Sequence, residues 1–307
     1  MNPDERPRLI VVCGPTATGK TALAMFLAEA IGGEIINADS MQVYRYMDIG
    51  TSKPDAADRA KISFHLVDVV DPGDTFSTGR FKEMADRAAA DILSRGLIPI
   101  VAGGTGLYIK SLIKGLFEGP RADKNLRKQY KEREAAEPGG NYRRLVQIDP
   151  DRAAEVKQAD YVRIERALEV FDLTGVPISK WQRRHGFREE AYRAYKIGLQ
   201  RPRDDLAAAC DARIGRMMEQ GWLEEVCGLR KMGYGPELPS QAAIGYKELH
   251  SYLDGKFTLD EAIRRAQSST RKYAKRQRTW FGADPTIQWF DSAVDRLKIL
   301  RRVTDFL

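Results

Sequence analysis

Short apolar runs and helix-length amphipathic stretches alternate through the first third of the chain. Leu9-Ile10-Val11-Val12 comes first, a helical pattern reaching Ala30 follows, and further apolar runs occupy Glu34 to Ala38, Phe64 to Asp68 and Leu97 to Ala102. Strands spaced by helices predict βαβ units and a parallel sheet, whose ligands sit outside the carboxyl ends of the strands. The loops that matter are therefore Gly14 to Thr21, Asp39 to Tyr44, Asp68 to Asp74 and Gly103 to Leu107. From about Phe117 to Tyr195 the chain is charge-rich and helical in period, as in LRKQYKEREAAE and YVRIERALEVFDLTG, the latter stopped at Gly175 and Pro177. A strand-like AYKIGLQ (Ala194 to Gln200) then returns before helical segments at roughly 204–218, 259–280 and 293–306. The expectation is an α/β core, a parallel sheet flanked by helices, interrupted by a helical insertion. Its parts are 1–116 (core), 117–194 (insertion) and 195–307 (core completion, ending in basic helices).

Composition narrows the class. With 307 residues the chain can bury a sizeable core. No apolar run approaches the roughly 20 residues a bilayer crossing needs, and MNPDERPRL does not resemble a signal segment, so a cytoplasmic protein without membrane contact is expected. Cys13, Cys210 and Cys227 form no C-x-x-C pair and only three histidines are present, which argues against disulfides and structural zinc. The net charge of +7 suggests a polyanionic partner, and its distribution is more telling than its size. RRAQSSTRKYAKRQR, from Arg264 to Arg278, holds seven cations and no carboxylate. On a helix Arg271, Lys275 and Arg278 share a face, a ridge able to follow a phosphate backbone or simply to face solvent.

Three segments carry candidate chemistry. GPTATGKT, from Gly14 through Pro15, Thr16, Ala17, Thr18, Gly19 and Lys20 to Thr21, matches G-x-x-x-x-G-K-[ST] in the strand, loop, helix context that motif requires. Its backbone N–H groups would cradle a phosphate, Lys20 would reach the outer phosphate and Thr21 would hold Mg²⁺. In NADSMQVYR, Asp39 is placed as a general base, a magnesium partner or the N-cap of a helix. In IPIVAGGTGLY the strand ends in Gly-Gly-Thr-Gly, where a nucleotide hydrolase often carries a metal-organising acid. Close backbone approach by a bulky ligand, with Thr105 offering a hydroxyl, is the expected reading; a tight turn is the other. Tyr44, Tyr108, Tyr246 and Trp280 are available to stack on bases or to fill the core.

GPTATGKT, NADSMQVYR with MDIGTSKP after it, AGGTGLY, RIERALEV, AIGYKEL and AKRQRTWF occur in this order. The set resembles the tRNA dimethylallyltransferases (tRNA isopentenyl transferases), of the bacterial type, from Leu9 to about Phe290. The resemblance implies a P-loop NTPase-like core with a helical insertion domain that contacts tRNA. It also implies transfer of a dimethylallyl group from dimethylallyl diphosphate to N6 of adenosine 37 in the anticodon loop of tRNA, with Mg²⁺ as cofactor and a monomer as the working form. By resemblance, Asp39 takes the amino proton, Thr105 lies at the reaction channel and Arg213 contacts the diphosphate. The same comparison implies RNA contacts at Asp39, Ser40, Met41 and Gln42, at Arg163 and Arg166, at Gly245, Tyr246 and Lys247, and at Lys275, Arg276, Gln277, Thr279 and Trp280. The chain departs from the pattern at Ala209, Gly282 and Tyr161-Val162. A small-molecule kinase binding ATP in the same loop, and an RNA-binding module that senses nucleotide, are the alternatives from other classes.

Overall fold

The computed structural model describes residues 5–117, 119–186, 190–293 and 296–307. Two compact units are present, 1–113 with 191–307, and 114–190. The boundaries fall at Lys114 and Glu190 rather than at 117 and 194, because the returning strand begins at Arg193 and Ala191 N–H already donates to Ile113 O (3.2 Å).

In the first unit the chain runs β1 (Arg8–Cys13), α1 (Lys20–Ile31), β2 (Gly33–Asn37), α2 (Ala56–Lys61), β3 (Phe64–His65), α3 (Thr78–Ser94), β4 (Ile98–Ala102) and α4 (Gly106–Lys114). The second unit holds α5 (Lys124–Ala136), α6 (Gly140–Ile148), α7 (Pro150–Glu155), α8 (Tyr161–Thr174) and α9 (Ile178–His185) around Tyr130, Leu145, Ile164 and Leu168. The first unit then resumes with β5 (Arg193–Gln200), α10 (Arg203–Glu219), α11 (Trp222–Lys231), α12 (Tyr246–Leu253), α13 (Leu259–Gly282), β6 (Ile287–Asp291) and α14 (Arg296–Phe306).

All six strands are parallel, in the order β3-β2-β4-β1-β5-β6. Leu9, Val11 and Cys13 face α3 and α4, while Ile10 and Val12 face α1 and α14. Burial on both faces is why β1 reads as an unbroken apolar run rather than an alternation. The expected strand over Phe64 to Asp68 stops after two residues because Leu66 (φ +62°) and Asp68 (φ +56°) turn left-handed. Strand β6 and helices α11 and α12 lay outside the sequence expectation. Strand β6 sits at the sheet edge with Gln288 and Asp291 exposed, which dilutes its apolar signal. No helix among the described residues is long and apolar enough to cross a membrane.

Candidate active site

The strand order lines up the carboxyl-end loops in sequence along one rim: Asp39 beyond β2, the Gly-Gly-Thr-Gly turn beyond β4, the phosphate loop beyond β1, and Arg201 beyond β5. Asp39 is thus one strand farther from the phosphate loop than adjacency along the chain suggests, with β4 between them. One cavity of about 1580 Å³ nevertheless takes in Asp39, Gly103, Gly104, Lys20, Thr21 and Arg213.

The phosphate loop is shaped by three left-handed residues, Gly14 (φ +131°), Ala17 (φ +61°) and Gly19 (φ +83°), the last leading into α1. A Cβ on Gly14 would lie 2.4 Å from Leu199 O, so only glycine lets the loop pass strand β5. Thr18 Oγ1 and Lys20 Nζ both donate to Pro15 O (2.9 and 2.6 Å). Thr21 is exposed at the first turn of α1 and lines the cavity, where helix N–H groups favour an anion. Burial, helped by the neighbouring Arg213 charge and opposed by Asp39, pulls the Lys20 ammonium down to about 8. Burial also lowers Arg213, which Asp39 partly offsets, and Arg213 Nη2 lies 3.5 Å from Thr51 O. The two cations repel each other across a space that a polyanion would neutralise.

Asp39 holds a turn rather than the start of a helix, the next helix beginning at Ala56 under an Asp55 cap, and it keeps an open oxygen. Its Oδ1 accepts from Met41 N–H (2.8 Å) and Gln42 N–H (3.3 Å), and no hydrogen bond reaches Oδ2 among the described residues. Thr105 joins this loop to the next: its N–H donates to Ala38 O and its Oγ1 accepts from Ser40 N–H, both at 3.1 Å. Gln42 Nε2 donates to Thr51 O and Ser52 O (3.0 Å each).

The glycines after β4 answer to protein atoms. A Cβ would lie 2.2 Å from Ala38 O at Gly103, 2.2 Å from Gln277 Nε2 at Gly104 and 2.0 Å from Trp280 Nε1 at Gly106. Protein atoms alone thus require these glycines, and Gly103 and Gly104 line the cavity as well. Gln277 is buried and spans two loops, accepting from Thr16 N–H (2.8 Å) and donating to Gly104 O (2.9 Å), so its amide is committed within the protein. One turn earlier on α13, Tyr273 opens into the cavity, and burial reinforced by the Asp39 charge pushes its phenol up to about 12. Sequence reasoning passed over Tyr273; its only signal was the i, i+4 spacing to Gln277.

The IPP transferase family model matches residues 42–284, and the isopentenyl transferase model matches residues 7–64. The tRNA dimethylallyltransferase of Geobacter sulfurreducens is 48% identical over 93% of this chain and 92% of its own. This chain belongs to the IPP transferase family. Among solved structures, the tRNA isopentenylpyrophosphate transferase of Bacillus halodurans aligns with a TM-score of 0.72 at 37% identity, covering 98% of this chain and 95% of that one. A eukaryotic dimethylallyltransferase, described as acting on tRNA, aligns with a TM-score of 0.82 at 30% identity over 98% of this chain and 79% of that one.

In this IPP transferase family member the residues expected at RNA divide into two groups. Lys247, Lys275, Arg276, Thr279 and Trp280 are exposed, and Ser40, Met41 and Gln42 are partly so. Arg163 is exposed beside Asp160 (3.3 Å), while Arg166 is pinned to the buried Glu169 (2.6 Å) and to Pro120 O (2.8 Å) inside the second unit. Tyr246 is fully buried, donating to Glu225 Oε1 (2.6 Å), and Gly245 (φ +88°) packs where a Cβ would be 1.8 Å from the Trp222 ring. Tyr44 and Tyr108 are also buried, Tyr108 stacked on Phe81 at 4.2 Å, so of the four candidate stacking aromatics Trp280 alone faces solvent. Arg271 leaves the cationic ridge for an ion pair with Asp211, and the exposed cations from Arg264 to Arg278 are Arg264, Arg265, Lys272, Lys275, Arg276 and Arg278.

Proposed function

We propose that this chain transfers a dimethylallyl group from dimethylallyl diphosphate to N6 of adenosine 37 in the anticodon loop of tRNA, releasing diphosphate. The observation that carries the reading is one cavity joining a phosphate cradle, with Lys20 and Arg213, to a carboxylate with an open oxygen at Asp39.

The chemistry follows from the groups present. An exocyclic adenine amine is a weak nucleophile because its lone pair is delocalised into the ring. As N6 bonds to the allylic carbon, the carbon–oxygen bond breaks, its electron pair leaves on the diphosphate, and the N6 proton passes to Asp39 Oδ2. Lys20, Arg213 and the loop N–H groups oppose the charge growing on the leaving diphosphate. Tyr273, kept neutral by its raised pKa, closes the cavity beside Asp39. An anticodon loop is unpaired, so turning its base outward costs only a few kcal/mol, on the order estimated for single-stranded targets. Exposed Lys275, Arg276 and Trp280 suit the RNA side, the cations for phosphates and the indole for a base.

Mg²⁺ fits the donor set. Thr21 opens onto the cavity that Asp39 also lines, and no group of three His, Cys, Asp or Glu side chains gathers among the described residues. A hard cation held at Thr21 would take its remaining oxygens from diphosphate and water and would supply charge neutralisation. A monomer in the cytoplasm completes the reading; a solution mass of two chains would overturn the first part.

Incubation with labelled dimethylallyl diphosphate and unmodified tRNA, and separately with ATP, tests the proposal. Label should enter the RNA at one adenosine, whereas ATP turnover without labelling would point to a kinase.

A further inference from the structure

The rim holds a cation whose buried nitrogen has no partner. Arg201 lines the cavity, yet no ion pair or hydrogen bond engages it among the described residues, and its Nε is buried without a partner. Of the other cavity cations, Lys53 and Arg59 are paired with Asp68 and Arg45 with Asp71, Lys20 donates to Pro15 O and Arg213 faces Thr51 O, while Lys61, Arg216 and Arg296 are exposed to solvent. A buried donor left unsatisfied is costly, which is a reason to ask what completes it.

Its place in the fold suggests the answer. Strands β1 and β5 run parallel with Cys13 opposite Gly198, so Arg201, the first residue after β5, stands three residues past that last pair just as Thr16 does in the phosphate loop. Between them the first loop glycine, Gly14, touches the backbone of Leu199. On α10, Arg213 reaches the cavity while Ala209, one turn earlier on the same face, lines it with a methyl only. The second cation that α10 brings to the cavity, Arg216, is exposed, whereas Arg201 enters from the end of β5 with its Nε buried.

We propose that Arg201 is a donor-binding residue whose guanidinium takes oxygens of the diphosphate from the β5 end of the rim, complementing Arg213 on α10. A planar fork of N–H groups matches a phosphate edge better than a point charge does. The buried Nε favours a ligand seated deep beside the phosphate loop over an RNA backbone, which rides on exposed side chains such as Arg216 and Lys275. The inference rests on the transfer reading above.

The test is calorimetric titration of the full chain with inorganic pyrophosphate, together with KM values for dimethylallyl diphosphate and for tRNA. Arg201→Gln should weaken pyrophosphate binding and raise the donor KM by roughly 10- to 100-fold, with the tRNA KM unchanged. Because Ala209 already lines the cavity, adding Ala209→Arg to that variant should recover much of the loss, a rescue that a merely structural arginine would not show. Unchanged pyrophosphate affinity in Arg201→Gln overturns the proposal, and so does a rise confined to the tRNA KM, which would assign the cation to RNA. If Arg201→Gln does not fold, Arg201→Lys decides: a few-fold weakening supports the fork contact, and wild-type affinity refutes it. Failure of the wild-type chain to label tRNA would instead sink the transfer reading itself.

Discussion

Lys20 and Asp39 show how single residues trade stability against function. The Lys20 pKa of about 8 lies below its ordinary 10.5, so between those values the folded chain binds fewer protons than the unfolded one and stability rises with pH. Donor binding should do the reverse, weakening as pH rises through about 8 and the ammonium loses its charge. Pyrophosphate titrations from pH 7 to 9.5 should show this inflection, and Lys20→Arg should remove it; a flat profile in the wild type would take Lys20 out of the contact. At Asp39 the two oxygens have separate duties, so the choice of substitution matters. Asp39→Asn keeps an acceptor for Met41 and Gln42 N–H, and we expect wild-type tRNA binding with transfer slowed by roughly 10² to 10⁴ in single turnover. Asp39→Ala should lose about 1 kcal/mol of stability as well, the usual net worth of a hydrogen bond. The sequence placed both residues because a motif or a strand end marks them. It left base, magnesium partner and helix N-cap as alternatives for Asp39, and the structure shows a turn held by one oxygen with the other to spare.

At the level of elements, several motif residues turn out to hold a loop rather than a ligand. Glu225 on α11 accepts from the N–H groups of Asp48, Ile49 and Gly50 (2.8, 2.6 and 3.3 Å) and from the Tyr246 hydroxyl (2.6 Å). A Cβ on Gly50 would lie 2.0 Å from Trp222 Nε1, so glycine is required for the loop to close on α11. That loop presents Thr51 O and Ser52 O to Gln42, and thereby orients a side chain of the cavity wall. Glu225→Gln replaces a charged acceptor with a neutral amide. We expect a loss of about 1 to 3 kcal/mol in unfolding free energy and a raised tRNA KM, with pyrophosphate affinity unchanged. A changed pyrophosphate affinity and an unchanged tRNA KM would show that the loop serves the donor side instead. None of this was legible in MDIGTSKP or AIGYKEL, because the partner carboxylate lies 175 to 177 positions from the first segment and 21 from Tyr246 in the second.

For the whole molecule, the organising fact is that the core is interrupted without being opened. Ile113 and Ala191 are joined by a backbone hydrogen bond, so replacing 114–190 with a short glycine linker should leave a folded core. We expect that core to bind pyrophosphate near wild-type affinity and to lose most of its tRNA affinity; retention of full tRNA binding would mean that the basic helix α13 suffices. Sequence alone determined the parallel sheet, the phosphate loop, the helical insertion and the family. These depend on hydrophobic period, glycine at fixed offsets and local motif order, all of which are written along the chain. Only tertiary structure decided that β4 separates Asp39 from the phosphate loop, that Tyr44, Tyr108 and Tyr246 are core, and that Gln277 is a brace between loops. It alone brought an unpartnered Arg201 to the rim. Each of those outcomes depends on strand order and on contacts between residues distant in sequence, which a local pattern cannot encode.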